Sequence, residues 1–150
     1  MKRPLKVSLR TAAQTDQDCK VFFDARNDPV SRKYSRHPEE IAFGTHVKWF
    51  SDAIRDSRRR LYIVELDGKP AGYCRAEGAE NEVSIALLSE YRGKHIGSEA
   101  LRLLSESLEA TPLKAVIRSD NAASKVAFER AGFRKASSDG QWETWLKASK

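Results

Sequence analysis

The sequence predicts an α+β domain on one mixed, mostly antiparallel β-sheet flanked by helices, and three observations predict it. Apolar residues switch repeatedly between strand-like alternation and helical spacing. Short turn signals, Asp67-Gly68 and the "SSDG" stretch, join neighbouring strand candidates. The second half runs strand, helix, strand, helix, strand. At 150 residues and 40% apolar content, residues 1–150 are expected to form a single domain with a real core.

"KVSLR" (6–10) alternates as a short strand, and Asp16 is expected to cap a helix whose Cys19, Phe22, Phe23 and Arg26 share a side until Pro29 stops it. In the next helix Phe43, Val47, Phe50 and Ile54 recur at steps of four, three and four, predicting one buried stripe through about residue 58. His46 and Trp49 fall on a neighbouring stripe. "LYIVEL" and "PAGYCRAE" form a hairpin across Asp67-Gly68, and "EVSIALL" (82–88) adds a strand with Val83, Ile85 and Leu87 on one face.

After a glycine-bearing loop, Ala100, Leu101, Leu104 and Leu108 mark the buried side of a helix, and "LKAVIRS" (113–119) reads as a strand buried on both faces. Asn121 opens a last helix lined by Ala123, Val126, Ala127 and Ala131, and Gly132 ends it. "FRKA" and "QWETWL" close the chain as a hairpin. An edge strand at this end is a place where two copies could pair as a homodimer.

Composition excludes several classes. Cys19 and Cys74 are too few for a disulfide framework, and with His37, His46 and His95 they show no metal-ligand spacing, so no metal is expected. No run approaches the roughly 18 apolar residues of a membrane span, and a basic start without an apolar run behind it is not a leader; a soluble, cytoplasmic chain without a membrane partner is expected. The net charge of +6 raises nucleic acid as a partner, but "RDSRRR" (55–60) falls at a helix end, where cations complement the macrodipole. A nucleotide cofactor or nucleotide-linked substrate accounts for the basic excess equally well.

The loop "YRGKHIGSEALRLL" (91–104) carries the most chemistry. Gly93 and Gly97 fit neither a Walker A box nor the three-glycine dinucleotide fingerprint. What remains is strand, basic loop, helix. Arg92 and Lys94 supply charge, the glycines permit close approach, and the helix start offers free N–H groups to an anion such as pyrophosphate. His95 stands where a second glycine would be expected. In a left-handed conformation it costs roughly 1 kcal/mol, in a helical one little, and in neither case is an N–H lost. Its imidazole either attracts the pyrophosphate or simply points to solvent.

Residues 91–98 resemble the acetyl-CoA pyrophosphate loop of the GCN5-related N-acetyltransferases (GNAT), an Arg/Gln-x-x-Gly-x-Gly/Ala pattern after the fourth strand. Arg92 fills its first position, Gly97 its last, and His95 replaces the middle glycine. "NAASKVAFERAGF" (121–133) is similar to the family's second signature, and the order of elements agrees along essentially the whole chain.

The resemblance implies a GNAT-like fold and direct transfer of acetyl from acetyl-CoA to a primary amine, without a metal. It sets Leu87 and Leu88 beside the acetyl-pantetheine arm, Arg92, Gly93, Lys94, His95, Ile96, Gly97 and Ser98 around the pyrophosphate, and Asn121 and Ser124 on the pantetheine or its phosphate. Phe128 joins this cofactor site at the position where many relatives carry a tyrosine that protonates the leaving thiolate. Glu82 and Glu80 are the candidate bases, and Tyr91, with Tyr73, the candidate acids.

For the acceptor, Arg26, Asn27, His46 and Trp49 lie in the segment that commonly walls the family's acceptor site. Arginines with aromatic faces suit a phosphorylated, nucleotide-bearing small molecule. The segment looks like the amino-sugar nucleotide N-acetyltransferases of bacteria and, more distantly, like the ribosomal-protein N-terminal acetyltransferases. A different class of reading is a non-catalytic acetyl-CoA-binding or nucleic-acid-binding domain.

Overall fold

Alternating apolar residues in the first half produce four strands: β1 (Val7–Thr11), β2 (Arg59–Leu66), β3 (Lys69–Glu77) and β4 (Glu82–Leu87), each antiparallel to the next. The computed structural model describes residues 4–150. Asp67 and Gly68 both take positive φ, 50° and 81°, as a two-residue hairpin turn demands.

Three helices separate β1 from β2: α1 (Asp16–Asn27), α2 (Pro29–Lys33) and α3 (Phe43–Arg55). Then come α4 (Ile96–Ser107), β5 (Leu113–Arg118), α5 (Ala122–Arg130), β6 (Arg134–Ser138) and β7 (Trp142–Lys147). The seven strands form one sheet in the order β1-β2-β3-β4-β5-β7-β6, and the β4–β5 pairing is the parallel one. The α+β class and the mixed, mostly antiparallel sheet are as the sequence predicts.

Several local expectations differ. The cap of α1 is Thr15, whose hydroxyl accepts from the Asp18 N–H, and not Asp16. Pro29 does not merely stop α1: capped by Asp28 it occupies the first turn of α2, where its missing N–H does no harm. The buried face of α3 is His46, Phe50 and Ala53, rotated from the expected stripe, and Phe43 and Val47 are exposed. Within α5 only Phe128 is buried, and Val126 is exposed. The C-terminal edge of the sheet is β6, five exposed residues led by Arg134 and Lys135, features that blunt strand-to-strand pairing.

Strand alternation sorts the core onto two faces. Val64, Cys74 and Phe133 pack with Leu101 and Leu104 of α4 and Phe128 of α5 on one face. Phe22 of α1 and Phe50 of α3 pack on Ile63 and Tyr73 on the other face, with the Phe22 ring stacked 4.4 Å from Tyr73. Gly72 lies between these faces against β4: a Cβ there would stand 2.2 Å from the Ala86 carbonyl oxygen, so only glycine lets the two strands close. No helix among the described residues is long and apolar enough to cross a membrane.

The feature that positions everything below is a fork. β4 and β5 meet only at Glu82 and Lys114, after which they diverge and leave Ile85 and Leu87 without a partner on β5.

Candidate active site

The fork opens a cleft of about 900 Å³ between β4 and β5, bounded by the start of α4, by α5, and by α1 with the segment after it. Leu88 donates its N–H to Ala71 of β3 at 2.8 Å. Antiparallel alternation therefore turns the peptide groups of Leu87 and Ile85 away from β3, towards the opening. The Leu87 carbonyl accordingly accepts from Arg92 Nη2 at 3.0 Å rather than from the ladder.

A 3₁₀ turn at Ser89–Tyr91 leads into the loop. His95 is the N-cap of α4 and adopts the left-handed conformation, φ 61° and ψ 13°. Of the two alternatives open in the sequence, the strained one is realised. Its ring is not free in solvent: Arg130 Nη1 donates to Nδ1 at 2.5 Å, which leaves the ring proton on Nε2. Ile96, Gly97 and Ser98 form the first turn, whose N–H groups have no intrahelical acceptor and line the cleft. A Cβ on Gly97 would meet Leu87, Ile85 and Ala127 at ordinary van der Waals distance, 3.9–4.0 Å, so a methyl group fits there and a large side chain does not.

Arg92 departs from its expected part as a free cation for phosphate. Its guanidinium bonds Asp28 at 2.6 Å as well as the Leu87 carbonyl, tying α2 to the end of β4. Burial pushes the Asp28 carboxyl up, but the Arg92 hydrogen bond and the Val30 N–H outweigh it and hold the carboxyl below its usual range. Lys94 is exposed and does not line the cleft; Tyr91 packs against the core. On α5, Asn121 Oδ1 caps the Ser124 N–H at 3.1 Å, and both residues line the cleft. Phe128 meets Phe133 edge-to-face at 5.0 Å at the cleft's buried end.

The other half of the cleft faces α1 and the segment after α2. Glu82 lies here, paired with Arg36 at 2.5 Å. Glu80 does not: it is exposed, outside the cleft, and bonded to Lys114 at 2.7 Å, which holds its carboxyl below the usual range. Of the four predicted acceptor residues, Arg26 alone lines the cleft. Asn27 exchanges two hydrogen bonds with Ile41 and clasps the α2–α3 segment. His46 is wholly buried; Nε2 donates to the Cys19 carbonyl at 3.0 Å, and burial lowers its basicity. Trp49 stands behind Arg26, whose guanidinium lies 4.8 Å from its ring centroid.

Arg75, Arg118 and Arg130 also line the cleft, and sequence reasoning passed over them. Strand alternation could have found Arg75, two positions from Tyr73 on the same face. Arg130 carried no local signal, because its partner His95 is 35 positions away.

Residues 6–134 match the family model described as the acetyltransferase (GNAT) domain. The chain belongs to the GNAT family. A search of curated proteins finds no match.

Among solved structures, this GNAT chain is similar to RimL, a ribosomal L7/L12 α-N-protein acetyltransferase in complex with coenzyme A. The TM-score is 0.82 and the identity 15%, over 95% of this chain and 94% of that one. It is also similar to AAC(6')-Ib in complex with paromomycin and acetyl-CoA: TM-score 0.78, 17% identity, 96% and 93% covered. A third is the spermidine N-acetyltransferase from Vibrio cholerae with CoA and spermine: TM-score 0.79, 16% identity, 93% and 94% covered. At these identities the likeness concerns the fold. The GNAT domain makes the chain an acetyl-CoA-dependent N-acetyltransferase, with acetyl-CoA as co-substrate. No group of three or more His, Cys, Asp or Glu among the described residues is placed to hold a metal ion.

Proposed function

We propose that this GNAT enzyme acetylates the primary amine of a small phosphorylated acceptor, an amino-sugar nucleotide. The observation that carries the reading is the cleft lining, where Arg26, Arg36, Arg75 and Arg118 stand with Glu39, Glu77, Glu82 and Asp120, and Arg26 has no ion pair among the described residues. Guanidinium groups pair with phosphate, whereas a polycationic acceptor would call for carboxylates in excess.

In this reading the first turn of α4 holds the pyrophosphate of acetyl-CoA, and the pantetheine arm runs between β4 and β5 past Asn121 and Ser124. The cleft-facing N–H groups of Leu87 and Ile85 polarise the thioester carbonyl and stabilise the oxyanion of the tetrahedral intermediate. Glu82, the candidate base lining the cleft, stands five residues along β4 from Leu87, about 16 Å, so it takes the ammonium proton through a chain of waters, and the neutral amine attacks. Phe128 offers no proton to the departing thiolate. A thiol of ordinary pKa, roughly 8.5, is a good enough leaving group to be protonated from solvent. Two buried, unpaired cysteines, Cys19 and Cys74, fit a reducing compartment such as the cytoplasm.

The test is free-thiol release from acetyl-CoA with amino-sugar nucleotides, short peptides with free N-termini, polyamines, and no acceptor. Turnover confined to amino-sugar nucleotides is the expected result. Turnover with peptides alone moves the enzyme to the protein N-terminal branch. Silence across the panel with intact acetyl-CoA binding favours a non-catalytic acetyl-CoA-binding domain.

A further inference from the structure

Three guanidinium groups crowd one aromatic ring beside the cleft. Arg26, Arg75 and Arg59 place their Cζ atoms 4.8, 5.3 and 6.0 Å from the Trp49 centroid. Arg59 is neutralised by Asp56 at 3.5 Å and also reaches Glu77 at 3.7 Å. Arg75 shares that same Glu77, its Nε at 3.4 Å, yet Nε is buried and makes no hydrogen bond of acceptable geometry. Arg26 has neither an ion pair nor a hydrogen bond among the described residues. The neighbouring cleft arginines differ: Arg36 has Glu82, Arg118 has Asp120 and Arg92 has Asp28.

An unpaired, half-buried guanidinium beside a second one is electrostatically unfavourable, and the pair is short of negative charge. Burial and the nearby Arg75 charge pull Arg26 below the usual arginine range, a direction that records the same deficit. Both side chains line the cleft, on its acceptor half.

We infer that Arg26 and Arg75 form an anion subsite that selects acceptors bearing a phosphate or carboxylate a few bonds from the amine. This rests on the acceptor reading above and deepens it. Arg75 is opposite Ser84, and Gly72 opposite Leu87, so the subsite lies three residues, about 10 Å, along β3 from the thioester end. That span sets the anion and the reacting amine on one small molecule. The planar forks of two arginines match the oxygens of one phosphate or carboxylate bidentately. Trp49 lies behind both and is a positioning residue: it holds the guanidiniums by cation–π contact and does not line the cleft.

Two measurements test this. The first compares kcat/KM for matched acceptors: an amino sugar against its phosphate ester, and an α-amino acid against its amide. The wild type is expected to prefer the charged member, and Arg26→Gln and Arg75→Gln are each expected to cut that preference about tenfold or more, with Arg26→Lys intermediate. Which charged member wins distinguishes phosphate from carboxylate. An unaltered preference in both glutamine variants overturns the subsite while leaving the acceptor reading intact.

The second is calorimetric titration of CoA-saturated enzyme with inorganic pyrophosphate and, separately, with glutarate. Binding that weakens about tenfold in Arg26→Gln supports the subsite even if no acceptor in the panel turns over, an outcome that would sink only the acceptor reading. No binding of either anion by the CoA-saturated wild type overturns the subsite. Arg26→Gln, on a helix surface, carries the test if the Arg75 variant does not fold.

Discussion

Arg130 Nη1 hydrogen-bonds Nδ1 of His95 at 2.5 Å, fastening the last turn of α5 to the N-cap of α4. The two helices flank the cleft, so this one contact ties together two of its walls. It also explains how a strained residue is held: His95 surrenders backbone comfort, and its ring gains a charged donor.

His95→Gly relieves the left-handed backbone but gives up the Arg130 bond, so it is expected to keep acetyl-CoA binding and to change stability by no more than about 1 kcal/mol. His95→Val, which resists positive φ, is expected to lose about 1–2 kcal/mol. Urea denaturation of the two variants checks the contrast.

Gly97→Trp crowds the first turn of α4 against Leu87, Ile85 and Ala127, which line the cleft, and should abolish acetyl-CoA binding while the melting curve stays cooperative. Calorimetry on the folded variant is the measurement. Wild-type affinity would move the cofactor elsewhere.

Gly72→Ala drives a methyl group into the Ala86 carbonyl oxygen and to 2.7 Å from the Leu87 Cα. Both contacts are backbone, so β4 must shift as a strand. Stability should fall by about 3 kcal/mol, with acetyl transfer falling further than stability explains, since Leu87 carries a donor of the proposed oxyanion site.

Glu82→Gln should lower kcat about 100-fold, while Glu80→Gln stays within about twofold. The contrast follows from position, since Glu82 lines the cleft and Glu80 is held outside it by Lys114. Equal effects of the two substitutions would remove Glu82 as the base.

Stability should fall with pH in two stages. Buried His46 is harder to protonate folded than unfolded, so below its ordinary 6.5 the unfolded state binds more protons and gains ground. For Asp18, burial pushes the carboxyl up, but bonds from Arg10 at 2.8 and 3.0 Å and from the Ala13 N–H outweigh it. Its folded pKa lies below the ordinary 3.8, so its contribution is present above that value and lost as pH falls through the folded one. His46→Phe should flatten the first stage and Asp18→Asn the second, in denaturant midpoints measured from pH 8 to 3.

The order of strands and helices was legible because each element repeats its own period and ends in its own turn residues. The face of α3 was not. Two adjacent stripes both carry apolar residues, and a histidine was counted as polar although the Cys19 carbonyl satisfies it 27 positions away. α2 was missed because Pro29 reads as a stop and serves as a start. The loop around Gly97 was recognisable from local pattern, but the fate of Arg92 was not: Asp28, 64 positions distant, takes its charge. Long-range pairing of charges decides which cleft arginines are free for ligand, and Arg26, left without a partner among the described residues, gives no local sign of it.

The single meeting point of β4 and β5 has a dynamic counterpart. A sheet normally protects its peptide groups by pairing, and here the inner edges of two central strands go unprotected over residues 83–87 and 115–118. A ligand with amides along its length can lie in that gap as a surrogate strand. Amide hydrogen exchange at the gap-facing N–H groups, those of Ile85 and Leu87 on β4 and the alternate ones of β5, should slow on loading with the cofactor, so that the substrate completes the protein's own architecture before any chemistry begins.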